Sequence, residues 1–206
     1  MIKAIICDLG GVYFRTGTNE ALKKIYKIIK APRQKIDEVF VTHDKNERWL
    51  YGKGKLTERE FWEAAAKKLT IDKRLIPKLE EIWHSSFKPD REMKELIFKL
   101  RKNYKVIVFS GTIKERVEYL NKNYNLFDSF DDFVLSFEAG FNKDEIGFYK
   151  VLLKKLKKLK LRPEECIFID DHQEFLDKAK KFGIKTILFK NPRKLKSELQ
   201  KIGLKI

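Results

Sequence analysis

The sequence of 206 residues predicts an α/β fold, in which a doubly wound, mostly parallel sheet carries an inserted all-helical segment. Three observations lead to this prediction. Short apolar runs alternate with segments of helical periodicity through most of the chain, as in parallel sheets whose strands are joined by helices. One long stretch near the N-terminus is helical throughout and interrupts that alternation. Small and polar residues follow directly after several of the apolar runs.

The strands are predicted from runs that are almost continuously apolar, as expected for strands buried on both faces. Four such runs cover 3–7, 105–109, 165–169 and 185–189, and a weaker fifth covers 132–135. Both cysteines, Cys7 and Cys166, fall inside these runs, so we expect packed, reduced thiols. The pattern is that of a Rossmann-like core.

Helices are predicted between the strands where apolar residues recur every three or four positions. The clearest sets are Ile113, Val117 and Leu120; Phe148, Leu152, Leu156 and Leu159; Leu176, Ala179 and Phe182; and Leu195, Leu199 and Ile202. A further helix is expected from about residue 92 to 102, directly before the second strand. Helices placed in this way would cover both faces of the sheet.

The stretch after the first strand predicts an inserted domain, because its spacing is helical and it contains no strand pattern. Pro89 restarts the alternation of strands and helices. We therefore predict a core domain of residues 1–14 plus 89–206 and a helical cap domain of residues 15–88.

Several cap residues could either pack in the core of the cap or contact a ligand. Phe61 and Trp62 are expected to form the core of the cap, whereas Trp49 and Tyr51 could belong either to that core or to a ligand surface. If Arg48 or Tyr51 faces the site, it should influence substrate preference. His43 and His84 also lie in the cap and have no partner that the sequence identifies.

Composition and charge exclude some classes of function. The longest apolar runs fall far short of the roughly 18 residues that span a bilayer, so no membrane partner is expected. The N-terminus lacks the pattern of a signal peptide, which predicts a cytoplasmic protein. A net charge of +16 could indicate nucleic-acid binding, but the densest lysine run, 154–160, has amphipathic helix spacing. Those lysines fit a solvated helix face better, and the charge would draw anionic substrates to the protein.

In a doubly wound sheet, ligands bind beyond the carboxyl ends of the strands, so the residues after each strand are the candidate site. The first strand is followed by Asp8, Leu9, Gly10 and Gly11, and the two glycines would let backbone amides approach an anion closely. The second is followed by Ser110 and Gly111, which open a helix whose N-terminus favours anions.

Two further segments supply charge. Lys143 follows Gly140 beyond the weak strand, and Asp170 with Asp171 follows the strand at 165–169. Paired carboxylates are hard oxygen ligands suited to Mg²⁺. With Asp8 and the hydroxyl of Ser110, these groups are the ones needed for phosphoryl transfer through an aspartyl phosphate.

These segments, in order, resemble the four motifs of the haloacid dehalogenase (HAD) superfamily. The inserted helices are similar to the cap of the subclass that has an α-helical lid. Within them, residues 49–62 resemble the branch that contains bacterial glucose-1-phosphate phosphatases. The resemblance covers nearly the whole chain and implies the HAD fold.

The resemblance also implies a magnesium-dependent phosphatase that acts on a small phosphorylated metabolite, with sugar 1-phosphates favoured. Asp8 would be the nucleophile, and Lys143 and Ser110 would assist it. The groups implied to bind phosphate are Gly10, Gly11, Ser110, Gly111 and Lys143. The groups implied to hold Mg²⁺ are Asp8, the Gly10 carbonyl, Asp170 and Asp171.

The chain departs from the family pattern at two positions. Most phosphatases of the superfamily carry a second Asp two residues after the nucleophile, as general acid and base, where this chain has Gly10. Asp144 follows Lys143, where the family usually has Pro. His172 could replace the missing acid, or it could simply cap the following helix or face solvent.

Two alternative functions stay open. A metal-independent 2-haloacid dehalogenase would also lack the second Asp, but Asp170 and Asp171 would then place uncompensated negative charge beside Asp8. The other alternative is a catalytically silent relative that binds an anion, nucleic acid or protein partner.

Overall fold

The computed structural model describes residues 1–15, 17–41 and 45–206, and it contains one parallel sheet. The strands are β1 (Ala4–Cys7), β2 (Lys105–Ser110), β3 (Asp132–Leu135), β4 (Cys166–Asp170) and β5 (Lys185–Leu188). They lie in the order β3-β2-β1-β4-β5, and all neighbouring pairs are parallel. The predicted α/β fold class is confirmed, and each predicted strand agrees with the observed one to within one residue at either end. His43 lies outside the described residues.

The described part of residues 15–88 contains helices and no strand. Its helices are α1 (Thr18–Ile28), α2 (Arg33–Phe40), α3 (Glu47–Gly52), α4 (Glu58–Leu69) and α5 (Ile76–Ser85). Their apolar faces form a hydrophobic cluster of their own around Phe40, Trp62 and Trp83. Ile113, which directly precedes the helix Lys114–Tyr124 of the core, also belongs to this cluster. Phe61 and Trp62 are completely or almost completely buried in this cluster, which confirms the prediction that they are core residues.

The helical segment leaves and rejoins the rest of the chain at one place. Phe14 and Pro89 form an antiparallel bridge there, and the Asp90 amide donates a hydrogen bond to the Tyr13 carbonyl at 2.9 Å. This arrangement favours the division into a core of residues 1–14 plus 89–206 and a cap of residues 15–88, which we keep as a proposal.

The sheet is buried on both faces. The helices that follow the helical segment are α6 (Arg91–Leu100), α7 (Lys114–Tyr124), α8 (Ser136–Ala139), α9 (Ile146–Lys158), α10 (Gln173–Lys180) and α11 (Pro192–Lys201). In β1, Ile5 and Cys7 pack with α6, α7 and α11, whereas Ala4 and Ile6 pack with α9 and α10. Because each face meets helices, successive strand residues are all apolar. Both cysteines are buried free thiols, as predicted. No helix in the described ranges is long and apolar enough to cross a membrane.

Candidate active site

The carboxyl ends of β1, β2 and β4 open into a cleft of about 1040 Å³. The chain places β2 and β3 on one side of β1 and then crosses over to place β4 and β5 on the other side. A reversal of this kind leaves a crevice beyond the strand ends, where ligands bind. Residues of α1 and α3 line the cleft from the helical segment, so the cleft lies between that segment and the sheet.

Asp8 lies at the floor of the cleft, directly after β1. It is 7% exposed, and its amide donates a hydrogen bond to the Ile169 carbonyl of β4 at 3.0 Å. Burial raises the pKa of Asp8, and the nearby charge of Asp170 also raises it. Lys143 and the hydroxyl of Ser110, the last residue of β2, oppose that increase.

Lys143 lies between two carboxylates. Its Nζ is 2.8 Å from Asp8 Oδ1 and 2.5 Å from Asp170 Oδ2, and its side chain is 6% exposed. Burial alone would lower the pKa of Lys143, but the two carboxylates raise it above its ordinary value. The ammonium is therefore charged at neutral pH, and it links the ends of β1 and β4.

The loop that carries Lys143 is held without the proline that the family usually has. Helix α8 ends at Gly140, whose positive φ of 74° favours glycine. The Asn142 amide then donates to Glu145 Oε2 at 2.7 Å, and the Glu145 amide donates to the Asn142 carbonyl at 3.0 Å. Asp144 lines the cleft and accepts a long hydrogen bond from Trp49 Nε1. This tight turn fixes the direction of Lys143.

The carboxylate pair is divided between a buried and an accessible member. Asp170 is completely buried; its Oδ1 accepts the His172 amide at 2.8 Å, and its Oδ2 makes no aligned hydrogen bond with the described residues. Asp171 lines the cleft, and His172 Nδ1 lies 3.0 Å from Asp171 Oδ1. The His172 side chain is 61% exposed, makes no hydrogen bond that caps α10, and belongs to a residue that lines the cleft, so a role as the missing acid stays a prediction.

Gly10 and Gly11 have different surroundings. A Cβ built at Gly10 would meet no atom within 4 Å, and Gly10 lines the cleft. Gly11 has φ of +78°, and a Cβ there would collide with the Asp171 carboxylate. Only glycine therefore allows the backbone to pass this close to Asp171, whereas position 10 has room for a side chain.

The residues present fit a hard divalent cation. Asp8, Asp170 and Asp171 supply three carboxylates against the one ammonium of Lys143, so negative charge is in excess. Asp170, Asp171 and His172 offer potential ligand atoms that lie within 4.8 Å of one another. Oxygen-rich sites of this kind suit Mg²⁺.

The phosphate-binding groups predicted from the second strand lie at the same edge. Ser110 is buried, Gly111 lines the cleft beside it, and a Cβ built at Gly111 would lie 3.7 Å from Lys143 Cβ. The structure thus brings every predicted site residue to the carboxyl ends of three adjacent strands. One predicted role does not fit: the Gly11 amide donates to the Phe14 carbonyl at 2.9 Å, so it does not offer a donor to phosphate.

The sequence prediction missed Ser136, which positions the loop after β2. The Thr112 amide donates to Ser136 Oγ at 2.9 Å, and that hydroxyl lies 2.6 Å from the Gly52 carbonyl at the end of α3. Asn142 Nδ2 also donates to the Trp49 carbonyl of α3 at 2.8 Å. Ser136 directly follows β3, so the rule that identified the other site residues could have identified this one.

The cap residues for which the sequence left a role open have different surroundings. Tyr51 is buried in the helical cluster and donates a hydrogen bond to Glu115 Oε2 at 2.7 Å, whereas Arg48 lines the cleft. Trp49 is half-buried beneath Lys53, whose Nζ lies 3.9 Å from the ring centre. His84 Nε2 lies 2.7 Å from Glu58 Oε1. Among these residues, only Arg48 lines the cleft.

Comparisons with known proteins agree with this arrangement. Residues 2–183 match the family of haloacid dehalogenase-like hydrolases. A HAD family enzyme of Bacteroides thetaiotaomicron, solved in complex with magnesium and inorganic phosphate, is 25% identical with a TM-score of 0.79; the match covers 92% of this chain and 95% of that one. An uncharacterised protein of Dictyostelium discoideum is 24% identical over 91% of this chain and 90% of its own length. The L-2-haloacid dehalogenase of Xanthobacter autotrophicus shares the fold, with 18% identity, a TM-score of 0.67 and coverage of 100% and 85%.

Proposed function

This chain belongs to the haloacid dehalogenase-like hydrolases, and we propose that it is a magnesium-dependent phosphatase that uses Asp8 as its nucleophile. Its substrate class is small phosphorylated metabolites, and the resemblance of the cap favours sugar 1-phosphates. The Bacteroides enzyme, whose structure contains magnesium and inorganic phosphate, supports this choice within the family. We further propose that residues 15–88 act as a cap that encloses the substrate, and that the enzyme works in the cytoplasm.

The excess of carboxylates around Lys143 is the observation that carries this proposal. One ammonium lies between Asp8 and Asp170, and Asp171 lines the same cleft. Neighbouring carboxylates repel one another, and a bound cation would relieve that repulsion. A dehalogenase that needs no metal has no use for the extra pair, whereas a phosphatase would hold Mg²⁺ with Asp8, the Gly10 carbonyl, Asp170 and Asp171. When bound, Mg²⁺ would screen the negative charge of the phosphate.

The first chemical step is displacement at phosphorus. Lys143 engages Asp8 Oδ1, so Asp8 Oδ2 is the oxygen that attacks. The new bond joins this oxygen to phosphorus, the bond from phosphorus to the leaving oxygen breaks, and that oxygen takes the electron pair. The hydroxyl of Ser110 and the amide of Gly111 hold the phosphate oxygens, and Lys143 offsets the charge that accumulates. The Gly11 amide donates to the Phe14 carbonyl at 2.9 Å, so we assign it no phosphate oxygen.

The second step is hydrolysis of the aspartyl phosphate. Water attacks phosphorus, and its proton is lost to solvent. The bond to Asp8 then breaks, which releases inorganic phosphate and restores the carboxylate. Because Gly10 has no side chain to protonate the departing oxygen in the first step, a leaving group that is stable as an anion is favoured. Anomeric sugar 1-phosphates and aryl phosphates meet this condition better than alkyl phosphates.

An activity screen with one variant tests the proposal. p-Nitrophenyl phosphate, glucose 1-phosphate and 2-chloropropionate would be assayed with and without Mg²⁺. We expect phosphate release that needs Mg²⁺ and that falls by roughly a thousandfold or more in Asp8→Asn, which keeps the shape but removes the nucleophile. Asp177→Asn, an exposed carboxylate of α10 that pairs with Lys180, is the matched control and should behave as the parent.

Each other outcome would contradict the proposal. Chloride release without Mg²⁺ would identify a dehalogenase. Near-parental phosphate release by Asp8→Asn would show that another group attacks phosphorus. No turnover of any ester, despite Mg²⁺ binding measured by calorimetry, would favour the catalytically silent relative.

A further inference from the structure

Two buried arginines lie together next to the cleft, and neither has a carboxylate partner among the described residues. Arg48 of α3 is 8% exposed and Arg116 of α7 is 3% exposed. Their guanidinium carbons lie 5.8 Å and 4.9 Å from the ring centre of Trp83, so both approach the same ring. Burial lowers the pKa of Arg48 to about 10, and burial together with the charge of Arg48 lowers that of Arg116.

Such a pair is unfavourable on its own, because each guanidinium loses hydration and each repels the other. The surroundings compensate only in part. Arg116 Nη2 donates to the Trp83 carbonyl at 3.3 Å, and its Nε is buried without an acceptor in the described part of the chain. The neighbouring carboxylate, Glu115, accepts from Tyr51. The described residues therefore supply no anion to this pair of arginines.

Arg48 is the member of the pair that a ligand can reach. It lines the same cleft as Asp8 and Lys143. The guanidinium carbon of Arg116 instead lies 3.9 Å from the ring centre of Phe87, and it is Phe87 that lines the cleft there. A Cβ built at Gly52 would lie 2.8 Å from Asn142 Oδ1 and 3.2 Å from Arg48 Nη1, so a larger residue there would crowd the guanidinium.

The other basic side chains that the helical segment and its entry add to the cleft differ from Arg48. Arg15 and Lys23 are exposed, and each already lies near a carboxylate. Arg15 is 3.6 Å from Asp90, and Lys23 is 2.6 Å from Glu20. Exposed pairs of this kind contribute little to binding, whereas a buried cation without a partner is expected to bind an anion strongly.

We infer that Arg48 binds a second anionic group of the substrate, a carboxylate or a second phosphate, while the phosphate ester lies between Asp8 and Lys143. Arg116 does not contact this group. Its charge raises the positive electrostatic potential at the Arg48 guanidinium. The inference rests on the proposed phosphatase function and narrows its substrate class to phosphate esters with a second anion. The cleft volume of about 1040 Å³ is at the upper end of the range for small-molecule sites, so it accommodates both groups.

Matched sugar 1-phosphates test the inference, because they share one leaving group and differ at C6. Glucose 1-phosphate, glucuronic acid 1-phosphate and glucose 1,6-bisphosphate would be compared with Mg²⁺, with product identity confirming cleavage at C1. We expect kcat/KM to be roughly 10- to 100-fold higher for at least one ester with a second anionic group at C6, through a lower KM, since glucose 1-phosphate cannot form the charge-assisted hydrogen bond to Arg48. The better of the two esters identifies the second anion as carboxylate or phosphate.

Two variants of Arg48 and one control variant separate binding from a structural role. The preference is the ratio of kcat/KM for the better ester with a second anion to kcat/KM for glucose 1-phosphate. In Arg48→Met this ratio should fall toward one, and in Arg48→Lys part of it should remain. In Arg59→Met, which changes an exposed arginine of α4, the ratio should not change. Without ligand, Arg48→Met should melt at the parent temperature or above, because it removes an uncompensated buried charge.

Two results would overturn the inference. One is equal or better turnover by the parent of glucose 1-phosphate than of both esters that carry a second anionic group. The other is a lower melting temperature in Arg48→Met with the substrate preference intact. If the parent hydrolyses no ester, including p-nitrophenyl phosphate, the proposed function itself fails; if it hydrolyses that ester without preference for a second anion, only the assignment of Arg48 fails.

Discussion

Replacing Gly10 by Asp should add the general acid that this site lacks. A Cβ at position 10 would meet nothing within 4 Å, Gly10 is not among the glycines with positive φ, and the residue lines the cleft two positions after Asp8. The first side-chain atom therefore has room, and we expect the new carboxyl to enter the space where the leaving group departs.

The size of the effect should depend on the leaving group. A positioned general acid contributes about 10²- to 10⁴-fold where a proton must be transferred. Glucose 6-phosphate, which leaves as a poorly stabilised alkoxide, should gain in that range. p-Nitrophenyl phosphate, whose leaving group is stable as an anion, should stay roughly unchanged. In the parent, kcat/KM should therefore fall steeply as leaving-group pKa rises, and in Gly10→Asp the slope should become shallow.

The assay is kcat/KM for a series of aryl and alkyl phosphates at saturating Mg²⁺. Gly11→Asp is the matched control, because it makes the same change one residue later. There the left-handed backbone costs an L-residue about 1–2 kcal/mol, and the side chain would collide with Asp171, so stability and activity should both fall. A Gly10→Asp variant that changes all substrates by the same factor, or a parent with a shallow slope, would refute the reasoning.

Three further predictions follow from individual contacts. Lys143→Met should lower kcat for p-nitrophenyl phosphate by about 10²- to 10³-fold, because it removes the cation that offsets charge at the nucleophile; a loss below tenfold would contradict this role. Ser136→Ala should reduce the free energy of unfolding by about 1–3 kcal/mol in denaturant titrations, since the buried Thr112 amide loses its acceptor, and an unchanged midpoint would contradict that. A hydrogen bond from Lys3 holds the pKa of Glu165 at about 2, below its ordinary value of 4.5, so the stability it contributes is present above pH 4.5 and is lost as the pH falls toward 2. Unfolding of Glu165→Gln should depend less on pH in that interval, and parallel curves would contradict the assignment.

The strands and the site edge were predictable from the sequence because both depend on local patterns. Runs such as 105–109 are apolar at each position that the two layers of helices bury, so the local sequence is enough to predict these strands. Parallel strands also bring their carboxyl ends to one edge. The residue after a strand could therefore be assigned to the site before its neighbours were known.

Contacts between distant parts of the chain were not predictable in this way. Nothing in the residues around Arg48 distinguishes it from the many exposed arginines and lysines, because its burial depends on how α3, α5 and α7 pack together. Likewise, Lys143 was expected to lie near Asp8, but its second ion pair with Asp170 depends on the order of β1 and β4 in the sheet. Such features arise from tertiary packing and not from local sequence pattern.

The position of β1 at the centre of the sheet has a consequence for folding during synthesis. This strand is translated before its partners β2 and β4, which follow only after the entire helical segment. The helices, which have their own cluster around Phe40 and Trp62, can collapse while β1 is still unpaired. Pairing across such long sequence separations is slow, so an apolar strand stays exposed until the second half of the chain arrives. The nascent chain should therefore need protection from aggregation most between the completion of α5 and the arrival of β4.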